Sequence, residues 1–216
     1  TMVKSKRKPP RSTGAPAAAP ATPRFAFRPW MPVALFALLS LAYFWEVALT
    51  DHVVLGTDSG SDLHLGARLS LAEKLQSFVQ PMWDERVGGF PSSDEIRPQY
   101  FPLYLMYLFT TFQRYLSWRY MLMMFFAGWG MYAVLRQERH SRLVATWAGV
   151  AYMSAPTFLS FTLAGHYAKM GVIALFPWMV MLLLRGMRTL RFVHFALLGA
   201  TIGMGAYSPH PQMLYH

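Results

Sequence analysis

The sequence predicts an all-α integral membrane protein of about five transmembrane helices, with a long non-cytoplasmic first loop that contains interfacial helices. Three observations lead there. Hydrophobic residues make up 54% of the chain and charged ones only 14%, a balance outside that of soluble domains. The apolar residues gather into runs that approach the length a bilayer core demands of a helix, about 20 residues. Finally, eight of the ten acidic residues (Asp51, Asp58, Asp62, Glu73, Asp84, Glu85, Asp94 and Glu95) lie between residues 50 and 100, whereas Lys and Arg collect at the ends of the apolar runs. A formal charge of +10 distributed in this way argues against a nucleic-acid partner, because no helix carries a basic face. Cysteine is absent, which excludes disulfides, a thiolate nucleophile and thiolate metal ligation.

Residues 1–29 hold seven Lys or Arg, no acid and many Pro and Ala. Such a segment has too little apolar surface to offset the entropy of ordering, so a disordered basic cytoplasmic tail is expected. The transmembrane domain follows over 30–216. Its first span, Trp30 to Leu49, reaches about 30 Å as a helix and has no small-residue cleavage signature after it, so it reads as a retained anchor. Glu46 near its far end reads as a carboxylate at the interface.

Residues 50–115 form the outer loop. Leu71, Leu75, Phe78 and Val79 recur at helical spacing, which predicts an interfacial helix over 62–79 that Pro81 ends. Gly88-Gly89-Phe90-Pro91 predicts a turn. The stretch 101–135 is read as a surface helix followed by one span, Leu116 to Leu135. Three further spans follow: Leu143 to Thr162, Met170 to Leu184 and Phe192 to Tyr207. This parity puts the tail on the same side as the loops 136–142 and 185–191, each with three arginines, as the positive-inside bias requires. The N-terminus is then cytoplasmic. Pro156 and Pro177 predict kinks or helix ends, and Gly199 with Gly203 reads as a close helix-packing face.

The same parity brings the acidic loop, Gly165-His166-Tyr167-Ala168-Lys169 and Ser208-Pro209-His210-Pro211-Gln212 to one non-cytoplasmic face. Asp58 and Asp62, four apart beside Gly56 and Gly60, are the candidate catalytic residues: either suits a general base or a ligand to a divalent cation. Their structural alternatives are an Asx-turn at Asp58 and a helix N-cap at Asp62. His166 and Lys169 are candidate substrate-binding residues, a donor and a cation for a phosphate, with helix capping and snorkelling as alternatives. His210 and Gln212 join them on weaker grounds, since a Pro-His-Pro turn also ends a span. His64 and His140 read as solvated. The sequence holds neither HExxH, nor a Walker-type phosphate loop, nor a nucleophile elbow.

The order of these features, with QPMW, VGGFP and QYFPLYL in the loop, then AGHYAKM and SPHPQMLY, resembles the bacterial YfhO-type membrane proteins, which are similar to GT-C glycosyltransferases. The resemblance covers about residues 30 to 216 and matches the N-terminal part of that longer family. It implies transfer of a sugar from a polyprenyl-phosphate carrier to an extracytoplasmic acceptor, with Asp58 as general base and Asp62 as its alternate. Lys169 with His166, or a divalent cation, would stabilise the leaving phosphate. Implied partners are membrane lipid and the lipid-linked sugar, and the implied location is the bacterial inner membrane. A competing reading is a non-catalytic subunit packed among other membrane proteins, as in an energy-transducing or photosynthetic complex.

Overall fold

The structure, a computed structural model, describes residues 28–54, 56–57, 70–79, 82–84, 90–92 and 102–206. All five expected spans contain helix. The first is split into α1 (Met31–Tyr43) and α2 (Trp45–Leu49) at Phe44. The outer loop contributes α3 (Leu71–Val79) and a 3-10 helix, Pro102–Phe109. The second span is the unbroken α4 (Phe112–Gln137), and the third is split into α5 (Arg142–Met153) and α6 (Pro156–Ala164). The fourth and fifth are α7 (Tyr167–Thr189) and α8 (Phe192–Ala206). Of these, α7 is the one long and apolar enough to cross a bilayer by itself, while α1 and α8 are apolar but shorter. The outer loop also holds the short antiparallel strands β1 (Met82–Asp84) and β2 (Phe90–Ser92), which pair Met82 with Ser92 and Asp84 with Phe90. The QPMW and VGGFP stretches thus meet as a small sheet, which the helical reading did not anticipate.

Helix α4 is the axis of the bundle, with α1, α5 and α7 packed around it. Two glycines only two residues apart, Gly128 and Gly130, let it approach two partners at once on different sides. A methyl at Gly149 of α5 would stand 2.7 Å from the Gly128 carbonyl oxygen and 2.6 Å from the Phe36 ring. On another side, a methyl at Gly130 would stand 2.7 Å from Trp178 Nε1 of α7. That indole donates to the Phe126 carbonyl at 3.0 Å. Around these contacts the buried core runs through Phe36, Tyr120, Met123, Ala127, Met153, Met170 and Ala174. Ser40 of α1 donates its hydroxyl to the Met121 carbonyl, which fixes α1 on the same axis.

Pro156 acts as expected. It stands at the start of α6, where a missing N–H costs nothing, and the chain is extended at Ala155 before it. Pro177 departs from expectation, because α7 runs through it instead of ending. A helical proline deprives the carbonyl four residues earlier of its donor. Here that carbonyl belongs to Ile173, and the Tyr152 hydroxyl of α5 donates to it at 2.9 Å. The loss of one backbone bond becomes a tie between two helices.

Gly199 and Gly203 also depart from expectation. A methyl at either meets nothing within 4 Å among the described residues. Helix α8 packs on α7 through Phe195, which lies against Gly186, and the small-residue face points away.

The expected cap Asp62 lies outside the described residues, and α3 begins at Leu71. Ser70 caps it in a reciprocal capping box: its hydroxyl accepts from the Glu73 amide at 3.3 Å, and Glu73 Oε2 accepts from the Ser70 amide at 2.7 Å. Thr111 likewise caps α4 by accepting from the Arg114 amide, and Ser141 caps α5 by accepting from the Val144 amide. The two Arg-rich turns meet at the far end, where Arg188 pairs with Glu138 at 2.6 Å.

Tyr152→Phe is expected to lower stability by about 0.5–1.5 kcal/mol, the usual net worth of one hydrogen bond. In a Pro177→Ala background, where the substituted residue restores an amide for the Ile173 carbonyl, the same change should cost less; a double-mutant cycle on thermal unfolding reads the difference. A pH effect follows from the capping box. The hydrogen bonds from the Ser70 side chain and amide hold the Glu73 carboxyl below its ordinary value. A depressed folded pKa contributes stability that is present above the unfolded carboxylate pKa and is lost as pH falls through the folded one. Amide-exchange protection in α3 should therefore fall on acidification through that range, and Glu73→Gln, which keeps a box partner, should remove the pH dependence.

Candidate functional site

The start of the acidic loop is sewn across the bundle by three bonds. Arg114 Nη1 donates to the Thr50 carbonyl at 2.5 Å and lies 3.6 Å from Asp51. The buried Ser117 hydroxyl accepts from the Val54 amide at 2.8 Å and donates to the Gln113 carbonyl at 2.8 Å. The Thr57 amide then donates to the Leu163 carbonyl of α6 at 3.0 Å. Because α4 supplies the first two partners and α6 the third, residues 50–57 are carried from the end of α2 to the α6–α7 junction.

That junction is built by the AGH of AGHYAK. Gly165 adopts a left-handed φ of 88°, and its amide bonds the Thr162 carbonyl at 3.3 Å. The His166 amide bonds the Phe161 carbonyl at 2.8 Å, which completes a Schellman stop. The His166 ring packs edge-on to Phe161, 6.2 Å between centroids, the side-chain contact that accompanies such stops. Gly56 rests on this corner backbone to backbone: a methyl there would stand 2.1 Å from both Cα and N of Gly165. Glycine is needed on both sides.

Beyond the corner α7 begins, and its first turn contains no acidic residue. Lys169, half-buried, sits in that turn. A cation at the positive end of a helix dipole is unfavourable alone and favours an anion beside it. Tyr167 and Gly171, one turn apart on α7, enclose Arg119 of α4, which is only 5% exposed. The guanidinium carbon lies 5.1 Å from the Tyr167 ring centre, Nη1 donates to the Tyr115 hydroxyl at 3.3 Å, and a methyl at Gly171 would come within 3.2 Å of Nη2. A buried arginine is costly to place near the end of an apolar bundle, and these contacts hold it there. Sequence reading passed over it because Arg119 interrupts what scans as an apolar span; an arginine inside a span was the available signal.

An apolar cavity of about 430 Å³ runs between α4, α7 and α8, lined by Met123, Phe126, Leu175, Leu182, Leu197 and Met204 among others. The hydroxyl of Thr201 in its wall donates to the Leu197 carbonyl, and the Trp178 indole is also bonded, so the lining offers a ligand only hydrocarbon. Leu103 of the 3-10 helix also lines it. Leu103 and Tyr167 both pack on the cluster of Tyr107, Phe112, Tyr115 and Leu116, so one cluster joins this part of the cavity wall to the α6–α7 corner. Burial raises the Tyr107 hydroxyl above its ordinary pKa and keeps it protonated.

Of the six candidate residues, His166 and Lys169 are brought to this corner. Asp58, Asp62, His210 and Gln212 lie outside the described residues, as does His64; in sequence Asp58 directly follows Thr57. His140 is exposed at the opposite end, and Glu46, also exposed, stands 3.8 Å from His52. Among the described residues no group of three or more His, Asp or Glu is placed to hold a metal ion. Comparison with protein families, with curated proteins and with solved structures finds no match to this chain.

Gly165→Ala should cost about 1–2 kcal/mol from the left-handed backbone. Gly56→Ala should unseat the loop and leave the helices standing. Amide exchange checks this: the Thr57 amide loses protection while α4 amides keep theirs.

Proposed function

We propose that the chain is the membrane domain of a glycosyltransferase-like protein that takes a sugar from a polyprenyl-phosphate carrier and passes it to an extracytoplasmic acceptor. The observation that carries this reading is the docking of Gly56 and Thr57 on the α6–α7 corner, which joins the acidic loop to the segment holding His166 and Lys169. Support for a bilayer comes from the exterior: Leu49 is 73% exposed, Trp147 67% and Phe192 83%, on helices whose contacts with one another are lined by glycine. The polar corner and the arginine-rich turns stand at opposite ends, which supports a non-cytoplasmic corner and a cytoplasmic N-terminus in the bacterial inner membrane. The apolar cavity suits the prenyl chain of such a carrier.

In this reading Asp58, with Asp62 as alternate, takes the proton of the acceptor hydroxyl as its oxygen attacks the sugar's anomeric carbon. The bond to the carrier breaks in the same displacement, and the polyprenyl phosphate leaves with the electron pair. Lys169 and the adjoining N-terminus of α7 stabilise the departing anion, His166 donates to it, and a divalent cation is the alternative counter-charge. His210 and Gln212 contribute from the last loop.

A second reading, a non-catalytic subunit of a larger membrane complex, is favoured by one observation. The Gly199 and Gly203 face of α8 is open, as a helix awaiting a partner helix would leave it.

Sugar release from a polyprenyl-phosphate donor, assayed with the full-length protein in liposomes, separates the two. Asp58→Asn should lower kcat by about 10²–10⁴, the range for loss of a general base, and Lys169→Met by about 10²–10³, the range for one transition-state donor. Equal transfer by the wild type and Asp58→Asn would remove Asp58 as the base, and no transfer by the wild type would remove the transferase reading.

A further inference from the structure

Helix α3 sorts its side chains in three directions. Leu71 and Leu75, one turn apart, share an edge; Lys74 stands on the flank of that edge; Glu73 and Gln76 lie on the far side. An amphipathic helix on a soluble core would turn the leucines inward and the lysine to water. In α3 the reverse holds. Lys74 is only 9% exposed, while Leu71 is 56% and Leu75 50% exposed.

The lysine is turned inward because it closes another helix. Its Nζ donates to the carbonyls of Tyr107 at 3.1 Å and Thr110 at 2.8 Å, and stands 4.7 Å from the centre of the Tyr107 ring. These carbonyls lie at the end of the 3-10 helix, where the partial negative charge of the last acceptors favours a cation. Thr110 is also two residues from the start of α4, so α3 is held at the depth where that helix begins. The same level carries other uncovered apolar side chains. Phe109 of the 3-10 helix is 87% exposed, and Leu49 belongs to the turn that Arg114 binds through Thr50. The leucine edge thus stands at the same end of the bundle as these exposed apolar side chains.

We infer that the Leu71–Leu75 edge of α3 is a lipid-docking surface, seated in the boundary between headgroups and acyl chains of the non-cytoplasmic leaflet, and that Lys74 sets the roll of the helix. A sheet of lipid is the occupant that accounts for all three directions together. Protein lies on the Lys74 side, hydrocarbon on the leucine side and water on the Glu73 and Gln76 side, an arrangement that one helix meets only at an interface. This inference rests on the membrane reading above and is independent of the transfer chemistry.

The chain contains no cysteine, so single reporters can be placed without background. Leu71→Cys, Leu75→Cys, Gln76→Cys and, on the exposed side of α7, Phe176→Cys would each be labelled with an environment-sensitive fluorophore. Each would then be reconstituted in phosphatidylcholine liposomes carrying a nitroxide either near the headgroup or near the chain end. Labels at 71 and 75 should be quenched at least about twofold more by the shallow nitroxide than by the deep one, as suits a helix buried about 5–10 Å into the boundary. The label at 76 should be quenched by neither, and the label at 176 by the deep one. If 176 is quenched while 71 and 75 behave like 76, the lipid-docking assignment is overturned and the membrane reading stands. If 176 is not quenched either, the membrane reading falls and takes the assignment with it. Blue-shifted emission at 71 and 75 without quenching by either lipid would show a protein cover and overturn it too. In Lys74→Gln the contrast between 75 and 76 should shrink; a contrast left intact would overturn the role given to Lys74.

Discussion

Helix α4 meets α5 at backbone distance and takes the Trp178 side chain of α7 against its own backbone, and both approaches are open only to glycine. Gly128 faces Gly149 of α5 across a gap that would not admit a methyl, and Gly130 receives the indole of Trp178 from α7. At the α4–α5 contact main-chain atoms pack directly on one another. The large residues are then displaced to the flanks, where Phe36, Met123 and Met153 fill the corners of the bundle. The position of everything at the polar end is inherited from this axis. Arg114, Ser117 and Arg119 all stand on its first turns, and each ties a different element to it.

The polar corner is made by the same economy. Gly165 stops α6, His166 completes the stop with its amide and its ring, and Leu163 offers a carbonyl to Thr57. Two residues that scan as part of a ligand motif thus have local structural work that accounts for glycine and histidine at those positions. Lys169 has no such local reason, since a cation in the first turn opposes the helix dipole. This contrast makes Lys169 a stronger candidate for a ligand contact than His166, although the two appear close together in the sequence.

The helices were legible wherever apolar runs were long and ended in Arg or Pro. Their boundaries came within a few residues, and the division of 101–135 into two helices is seen in the 3-10 helix and α4, with the break at Thr110-Thr111 instead of Leu116. Legibility failed where the answer depended on a partner remote in sequence. Pro177 is carried inside a helix because Tyr152, on another helix, supplies the missing donor. Gly199 and Gly203 carry a packing pattern that no described residue answers. Arg119 was hidden because its burial depends on Tyr167 and Gly171 of α7, which no pattern within α4 reveals. Ser70 and Glu73 are a different case: the capping-box spacing stood in the sequence, and Asp62 drew attention away from it.

The seat of Gly56 against Gly165 also bears on the order in which the molecule is made. The loop that holds Gly56 leaves the ribosome early, yet its receptor does not exist until α6 has been completed and its helix stop has formed. Closing so long a loop carries an entropic cost that only the finished α4 and α6 offset. During synthesis Gly56 and Thr57 therefore have no seat until Leu163 and Gly165 have been made. A nascent chain arrested before Gly165 would contain the acids and lack the corner that receives their loop.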